Sequence, residues 1–162
     1  MTRKEQNILE HNRAISESFY HYLNGRDLER KQRDAMMLLT VSEDGWPHTA
    51  MVSVGEVAAV DGSRLRLALW PGTETSRNLI RAGQAVLLAV HEGAVLKIRL
   101  AVQQLPALPD ARHPRERFEA NVLSVHEDRA KYAEVTSGIT FALQDEQQVL
   151  RRWKETLEEL NK

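Results

Sequence analysis

Residues 61–83 read Asp-Gly-Ser-Arg-Leu-Arg-Leu-Ala-Leu-Trp-Pro-Gly-Thr-Glu-Thr-Ser-Arg-Asn-Leu-Ile-Arg-Ala-Gly, and they place a turn, a strand and a helix in succession. Leu65, Leu67 and Leu69 alternate with Arg66 and Ala68, the period of two that puts one face of a strand against a core. Asp61-Gly62 before it suits the tight hairpin turns that need positive φ, so residues 57–60 pair back as the preceding strand. Pro71-Gly72 stops the strand. Thr73 or Thr75 is then placed to cap a helix whose apolar face is Leu79 and Ile80, and Gly83 is placed to end it.

The same grammar extends outward. Residues 35–41 form a short apolar run, Ser42-Glu43-Asp44-Gly45 a turn, and residues 46–54 a returning strand. Residues 85–91 and 95–103 read as two strands joined at Glu92-Gly93, residues 105–115 with their prolines as a loop, and 118–125 and 138–143 as further strands. A helix is expected over about 3–24, with Ile8, Ile15, Phe19 and Tyr22 on one stripe and Gly25 at its C' position. Another is expected over about 145–160, where Val149, Leu150, Trp153, Leu157 and Leu160 share a stripe and Asp145 is the N-cap. About seven short strands with hairpin turns and helices at the periphery predict a mainly β protein. The expected architecture is an antiparallel split β-barrel in a single domain spanning 1–162.

Composition narrows the chemistry. The 162 residues hold 42% hydrophobic and 28% charged residues, ordinary values for a globular protein. No cysteine is present, which excludes disulfides, thiolate metal sites and a cysteine nucleophile. The net charge of −1 comes from interspersed signs, so no basic field for nucleic acid or an anionic membrane is expected. No stretch is apolar enough to span a bilayer and the start is charged, so the cytoplasm is the expected location.

The six histidines (11, 21, 48, 91, 113 and 126) are scattered, with no helical ligand spacing, and no metal site is expected from them. Neither a hydrolase elbow nor a Walker phosphate loop is present. Thr73–Arg77 is the segment with the most chemistry. Hydroxyls of Thr73, Thr75 and Ser76 and the Arg77 guanidinium sit where a helix starts, and free N–H groups there favour an anion. The competing reading is a plain N-cap with Arg77 in solvent.

Residues 35–90 resemble the core of the pyridoxamine 5'-phosphate oxidase-like, FMN-binding split-barrel family. The resemblance is carried by Met37-Leu38-Leu39-Thr40-Val41, by Asp44-Gly45-Trp46-Pro47-His48, by the strand ending at Trp70, and by Thr75-Ser76-Arg77-Asn78-Leu79 leading into the strand after residue 84. It implies FMN as cofactor. Thr75, Ser76, Arg77 and Asn78 would hold the phosphate, and Thr49, Ala50, Met51, Val52 and Ser53 would line the ring and ribityl chain. Trp70 would cover the ring, unless it is a core or interface aromatic. The resemblance also implies a homodimer with FMN between subunits, and the outward apolar residues of several strands ask for such a cover.

The departures are as specific as the matches. True oxidases carry an arginine and a lysine on the flavin strand, where this chain has Ala50 and Gly55. Their C-terminal substrate signature is not matched by Arg151-Arg152-Trp153. The chain is nearer to the short members called general stress proteins. The expectation is an FMN-dependent oxidoreductase of unknown substrate, with catalytic residues unassigned, that does not oxidise pyridoxamine phosphate. The alternatives are a non-catalytic flavin carrier or sensor, or a barrel holding haem or a deazaflavin, with His48 or His91 as the haem ligand.

Overall fold

The computed structural model describes residues 2–3 and 13–162. Ile8, His11 and the first turns of the expected N-terminal helix lie outside the described residues. Within them, α1 (Glu17–Tyr22) is capped by Ser16, whose hydroxyl accepts from Phe19 N at 3.1 Å. Residues 13–16 are not helical, which shortens the expected span. Ile15 N donates instead to Gly62 O at 2.8 Å, so this backbone is held by the β3–β4 turn region. Gly25 has positive φ (75°), but it lies two residues past the C-cap Leu23 and not at C'.

After the single turn α2 (Leu28–Lys31) come β1 (Asp34–Val41), β2 (Pro47–Val52), β3 (Val57–Ala59) and β4 (Arg64–Leu69). Helix α3 (Glu74–Ala82) leads into β5 (Gln84–His91), β6 (Ala94–Gln104) and β7 (Glu116–Asp128). The short β8 (Ile139–Thr140) and the closing helix α4 (Glu146–Leu160) complete the chain. Every strand pairing is antiparallel, and the sheet runs in the order β2-β1-β5-β6-β7-β4-β3. Its two outermost strands are joined in sequence by only residues 53–56. Such a short link forces the sheet to curl until its edges nearly meet, which makes it a split barrel.

Alternation fills the interior. Met36 and Leu38 from β1, Leu65 and Leu67 from β4, Leu87, Ile98 and Phe118 are all at most 2% exposed. The β5–β6 hairpin turns on Glu92 and Gly93, both with positive φ (49° and 74°), as its primed geometry requires. The strand expected over 46–54 is observed as Pro47–Val52, and two further strand extents differ more from the sequence reading. β7 runs three residues further at its far end, because β6 pairs with it out to Val95↔Asp128 across a bulge at Arg99/Leu100. The expected strand 138–143 shrinks to β8, since β1 is already paired with β2 from Met36 and with β5 from Met37.

The two later helices cover different parts of the barrel. In α3 the buried residues are Thr75, Ser76, Asn78 and Leu79, while Ile80, expected on the apolar face, is 52% exposed. The reason is that α3 rests on β1, β2 and β6 with Leu79 in the core and Asn78 on Thr40, which leaves Ile80, the next residue along, facing solvent. Helix α4 lays Trp153, Thr156, Leu157 and Leu160 over the outer side of β3 and β4, where Ala58 and Ala68 are small enough to admit it. Its last turn has no basic residue, but Arg66 and Arg117 from β4 and β7 both donate to Leu160 O, at 3.0 and 3.4 Å. Cations at a helix C-terminus are favourable, so the barrel wall caps the helix.

Candidate functional site

Among the described residues strand β2 is an edge of the sheet path, hydrogen-bonded only to β1. Alternate N–H and C=O groups along it therefore point away from the sheet, available to a ligand. Register settles its faces. His48, Ala50 and Val52 lie opposite Thr40, Leu38 and Met36 and share their inward side; Thr49 and Met51 lie opposite Leu39 and Met37 and face outward. Thr49 and Met51 are exposed, Ala50 is half-buried, and Val52 and Ser53 are each 3% exposed. Of the five ring-lining candidates, Thr49, Ala50 and Met51 thus present surface, and Val52 and Ser53 belong to the wall.

Helix α3 begins beside this strand. Thr73, not Thr75, is the N-cap, its hydroxyl accepting from Ser76 N at 3.2 Å. Thr75 turns inward, its Oγ1 3.1 Å from His48 Nε2, while His48 Nδ1 lies 3.3 Å from Glu74 Oε2. Ser42 donates to the other oxygen of Glu74, which ties the turn before β2 into the same chain of contacts. Asn78 donates to Thr40 Oγ1 at 3.0 Å and accepts from Arg81 at 3.0 Å, and Arg81 also donates to Val41 O. Ser76 Oγ donates to Trp70 O at 3.3 Å. Thr75, Ser76 and Asn78 are accordingly engaged in fastening the helix start to the barrel. Arg77 is the open cation of the group: it is exposed, with one bond to Gly72 O at 2.8 Å.

Trp70 stands at the end of β4, 51% exposed. The Arg115 guanidinium lies 3.6 Å from its ring centroid and that of Arg152, from α4, lies 6.0 Å away. Glu56 is nearby in the link between β2 and β3; its Oε2 accepts from Ser53 N at 2.6 Å and Ser53 Oγ at 2.9 Å. Burial pushes the Glu56 carboxyl above its ordinary value, against the pull of those bonds and of the two arginines. Burial, and then the neighbouring Arg152, hold Arg115 below the usual guanidinium range. Glu56, Arg115 and Arg152 are the residues that sequence reading missed. They come from a strand link, a loop and a helix face, and no local motif marks them.

Two other histidines, His91 and His113, join structural clasps. His91 Nε2 is 2.8 Å from Ser18 Oγ, with its ring packed on Phe19 and Tyr22 at 5.3 Å each, which fastens α1 to β5. His113 Nε2 lies 2.8 Å from Glu155 Oε2, joining the 105–115 loop to α4, and this bond holds the Glu155 carboxyl below its ordinary value. Among the described residues no group of His, Asp and Glu is arranged to hold a metal ion, and no helix is long and apolar enough to cross a membrane.

No family model matches the chain. In fold it is similar to the crystal structure of a candidate pyridoxamine 5'-phosphate oxidase from Lactobacillus delbrueckii, with TM-score 0.56 and 15% identity over 70% of this chain and 94% of that one. It is also similar to HupZ of Group A Streptococcus, with TM-score 0.54 and 11% identity over 79% of this chain and 99% of that one. In sequence it is 45% identical over 149 residues to the uncharacterized protein YclD of Bacillus subtilis, covering 92% of this chain and 97% of the relative. The chain belongs to the family of YclD, and its fold is a split barrel like that of the candidate pyridoxamine 5'-phosphate oxidase.

Proposed function

We propose that this protein binds FMN along the free edge of β2 and the start of α3, and works as a flavin-dependent oxidoreductase in a homodimer. The observation that carries the reading is the meeting of those two elements. An edge strand offers alternating donors and acceptors of the kind a flavin ring requires, and a capped nine-residue helix with an open arginine starts beside it. The residues present fit the cofactor. Thr49, Ala50 and Met51 would face the ring, with Val52 and Ser53 forming the wall behind it. The first turn of α3 and Arg77 would take the phosphate, with Thr75, Ser76 and Asn78 keeping that turn in place. When bound, the flavin supplies hydride and electron chemistry, while the protein supplies position and electrostatics. His48, one of the two ligands the haem alternative needs to choose from, has both ring nitrogens engaged, by Thr75 and Glu74.

Titration followed by flavin fluorescence tests the reading, with about one FMN per subunit expected. Arg77→Ala should weaken FMN binding about 10- to 150-fold, the worth of a charge-assisted bond, and leave riboflavin binding unchanged. Equal affinity of wild type and variant for FMN returns Arg77 to solvent. Pyridoxamine 5'-phosphate should not be oxidised by the FMN-loaded protein, because Ala50 and Gly55 replace the basic pair of true oxidases. Formation of pyridoxal 5'-phosphate in an aerobic assay would refute that.

The dimer reading rests on the outward face of the sheet. Met51, Val41 and Leu123 are 56%, 52% and 51% exposed, and Met37, Leu39, Val86 and Leu88 share that face by register. A hollow of about 470 Å³ lies on it, bordered by Leu39, Val41, Val86 and Leu123. Contiguous apolar surface of this kind asks for a cover, and twofold self-association is the commonest one. Light scattering should give about twice the chain mass of 18.5 kDa. Met37→Lys combined with Val86→Lys should return it to the monomer mass. A wild-type monomer at micromolar concentration, with FMN present, rejects the dimer.

A further inference from the structure

We propose that Arg115 and Arg152, gathered around Trp70, form a subsite for the anionic group (carboxylate or phosphate) of the small molecule on which the flavin acts. The assignment to a substrate rests on the flavin reading; the anion site itself rests on the geometry of three side chains. Both guanidinium carbons lie within 6.0 Å of one indole centroid. Among the described residues Arg152 has no hydrogen bond or ion pair, and Arg115 donates only to the carbonyl of its neighbour Pro114, at 2.9 Å. Among the described residues no carboxylate lies within ion-pairing distance of either, although Glu56 and Glu159 act on Arg115 from farther off. The nearby Glu56 has one oxygen already accepting two bonds from Ser53.

Two like charges held beside one another in a partly buried place repel, and the repulsion is relieved when an anion joins them. Arg115 is depressed first by burial and then by Arg152, with Glu56 and Glu159 offsetting part of this. Guanidinium groups suit the task, since each offers a planar fork that matches a carboxylate or a phosphate. Half of the Trp70 surface is open beside them, so a ligand has a way in.

The position also suits a substrate. Trp70 O accepts from Thr73 and Ser76 at the start of α3, at 3.2 and 3.3 Å, and Glu56 is bonded to Ser53, which directly follows β2. The arginines therefore stand next to both elements of the proposed flavin groove. Neither belongs to the residues proposed to hold FMN. They come from the 105–115 loop and from α4, elements that pack against the barrel from outside.

The test is an NMR titration of the Trp70 indole N–H, assigned with Trp70→Phe. Sodium chloride is replaced at constant ionic strength by inorganic phosphate or by acetate, with and without FMN. A saturable shift is expected with one of the two anions in the millimolar range, and the better anion tells phosphate from carboxylate. Arg152→Gln and Arg115→Gln should each weaken it about 10-fold or more, while Lys154→Gln on the exposed side of α4 should not. Arg152→Lys, which keeps the charge and loses the fork, should fall between. FMN affinity in Arg152→Gln should match wild type. No saturable shift in the wild type below about 50 mM, or an unchanged one in Arg152→Gln, overturns the site. Anion binding by a wild type that fails to bind FMN leaves the arginine site standing and overturns its assignment to a flavin substrate.

Discussion

Gly55→Ala should destabilise the protein by about 3 kcal/mol, toward the upper end of what one added methyl costs in a packed interior. A Cβ at residue 55 would lie 2.0 Å from Trp153 Cγ and 2.3 and 2.4 Å from its two ring neighbours. Nothing there is the free end of a flexible chain. The indole is 7% exposed and belongs to α4, so relieving the overlap means shifting the helix off the β2–β3 link. Urea denaturation would show a lower midpoint with an unchanged slope. A double-mutant cycle gives the decisive control. In a Trp153→Ala background, Gly55→Ala should cost less than about 1 kcal/mol, leaving a coupling near 2 kcal/mol. Additive effects would show that the two residues do not share this space. The same contact excludes any larger side chain at residue 55 while Trp153 keeps its present place.

Asn78→Ala should cost about 2–3 kcal/mol, because it strands its partners in the interior. Asn78 and Thr40 are 2% and 3% exposed, and their bond joins α3 to β1. Removing the amide leaves the Thr40 hydroxyl without this partner and takes from Arg81 one of its acceptors. Thr40→Val alone should cost less, since the Asn78 carbonyl keeps Arg81, and the double variant should cost less than the sum. Chemical denaturation of the three variants measures this. FMN affinity should fall in Asn78→Ala together with the loss of stability, as the helix start loosens, while riboflavin, which lacks the phosphate, should be little affected. A selective loss for FMN, with stability unchanged, would instead place Asn78 on the phosphate.

Local chemistry alone was enough for most of the strands, the hairpin turns and the stop of α3 at Gly83. Alternation in Leu65, Leu67 and Leu69 marked a strand that is observed at Arg64–Leu69, because a period of two is a property of adjacent residues. Glu92-Gly93 and Gly83 were legible for the same reason: positive φ is a local demand, and they meet it at 49°, 74° and 64°. The ordered set from Met37 to Leu79 also pointed to the split barrel, which the fold bears out.

What stayed hidden depended on neighbours distant in the chain. Ile80 looked apolar-facing, but α3 docks through Thr75, Asn78 and Leu79, which turns Ile80 to solvent. Residues 138–143 had strand composition but found β1 already paired on both sides beyond Ala35. Gly55 carried no turn signal, and only the docking of Trp153 explains it. Arg115 and Arg152 stand 37 positions apart and share one indole. A sequence determines which backbone shapes each segment prefers, since those costs arise between adjacent residues. Which side chains end up sharing a site is decided by closure of the barrel and docking of α4, where burial and charge act across the whole chain.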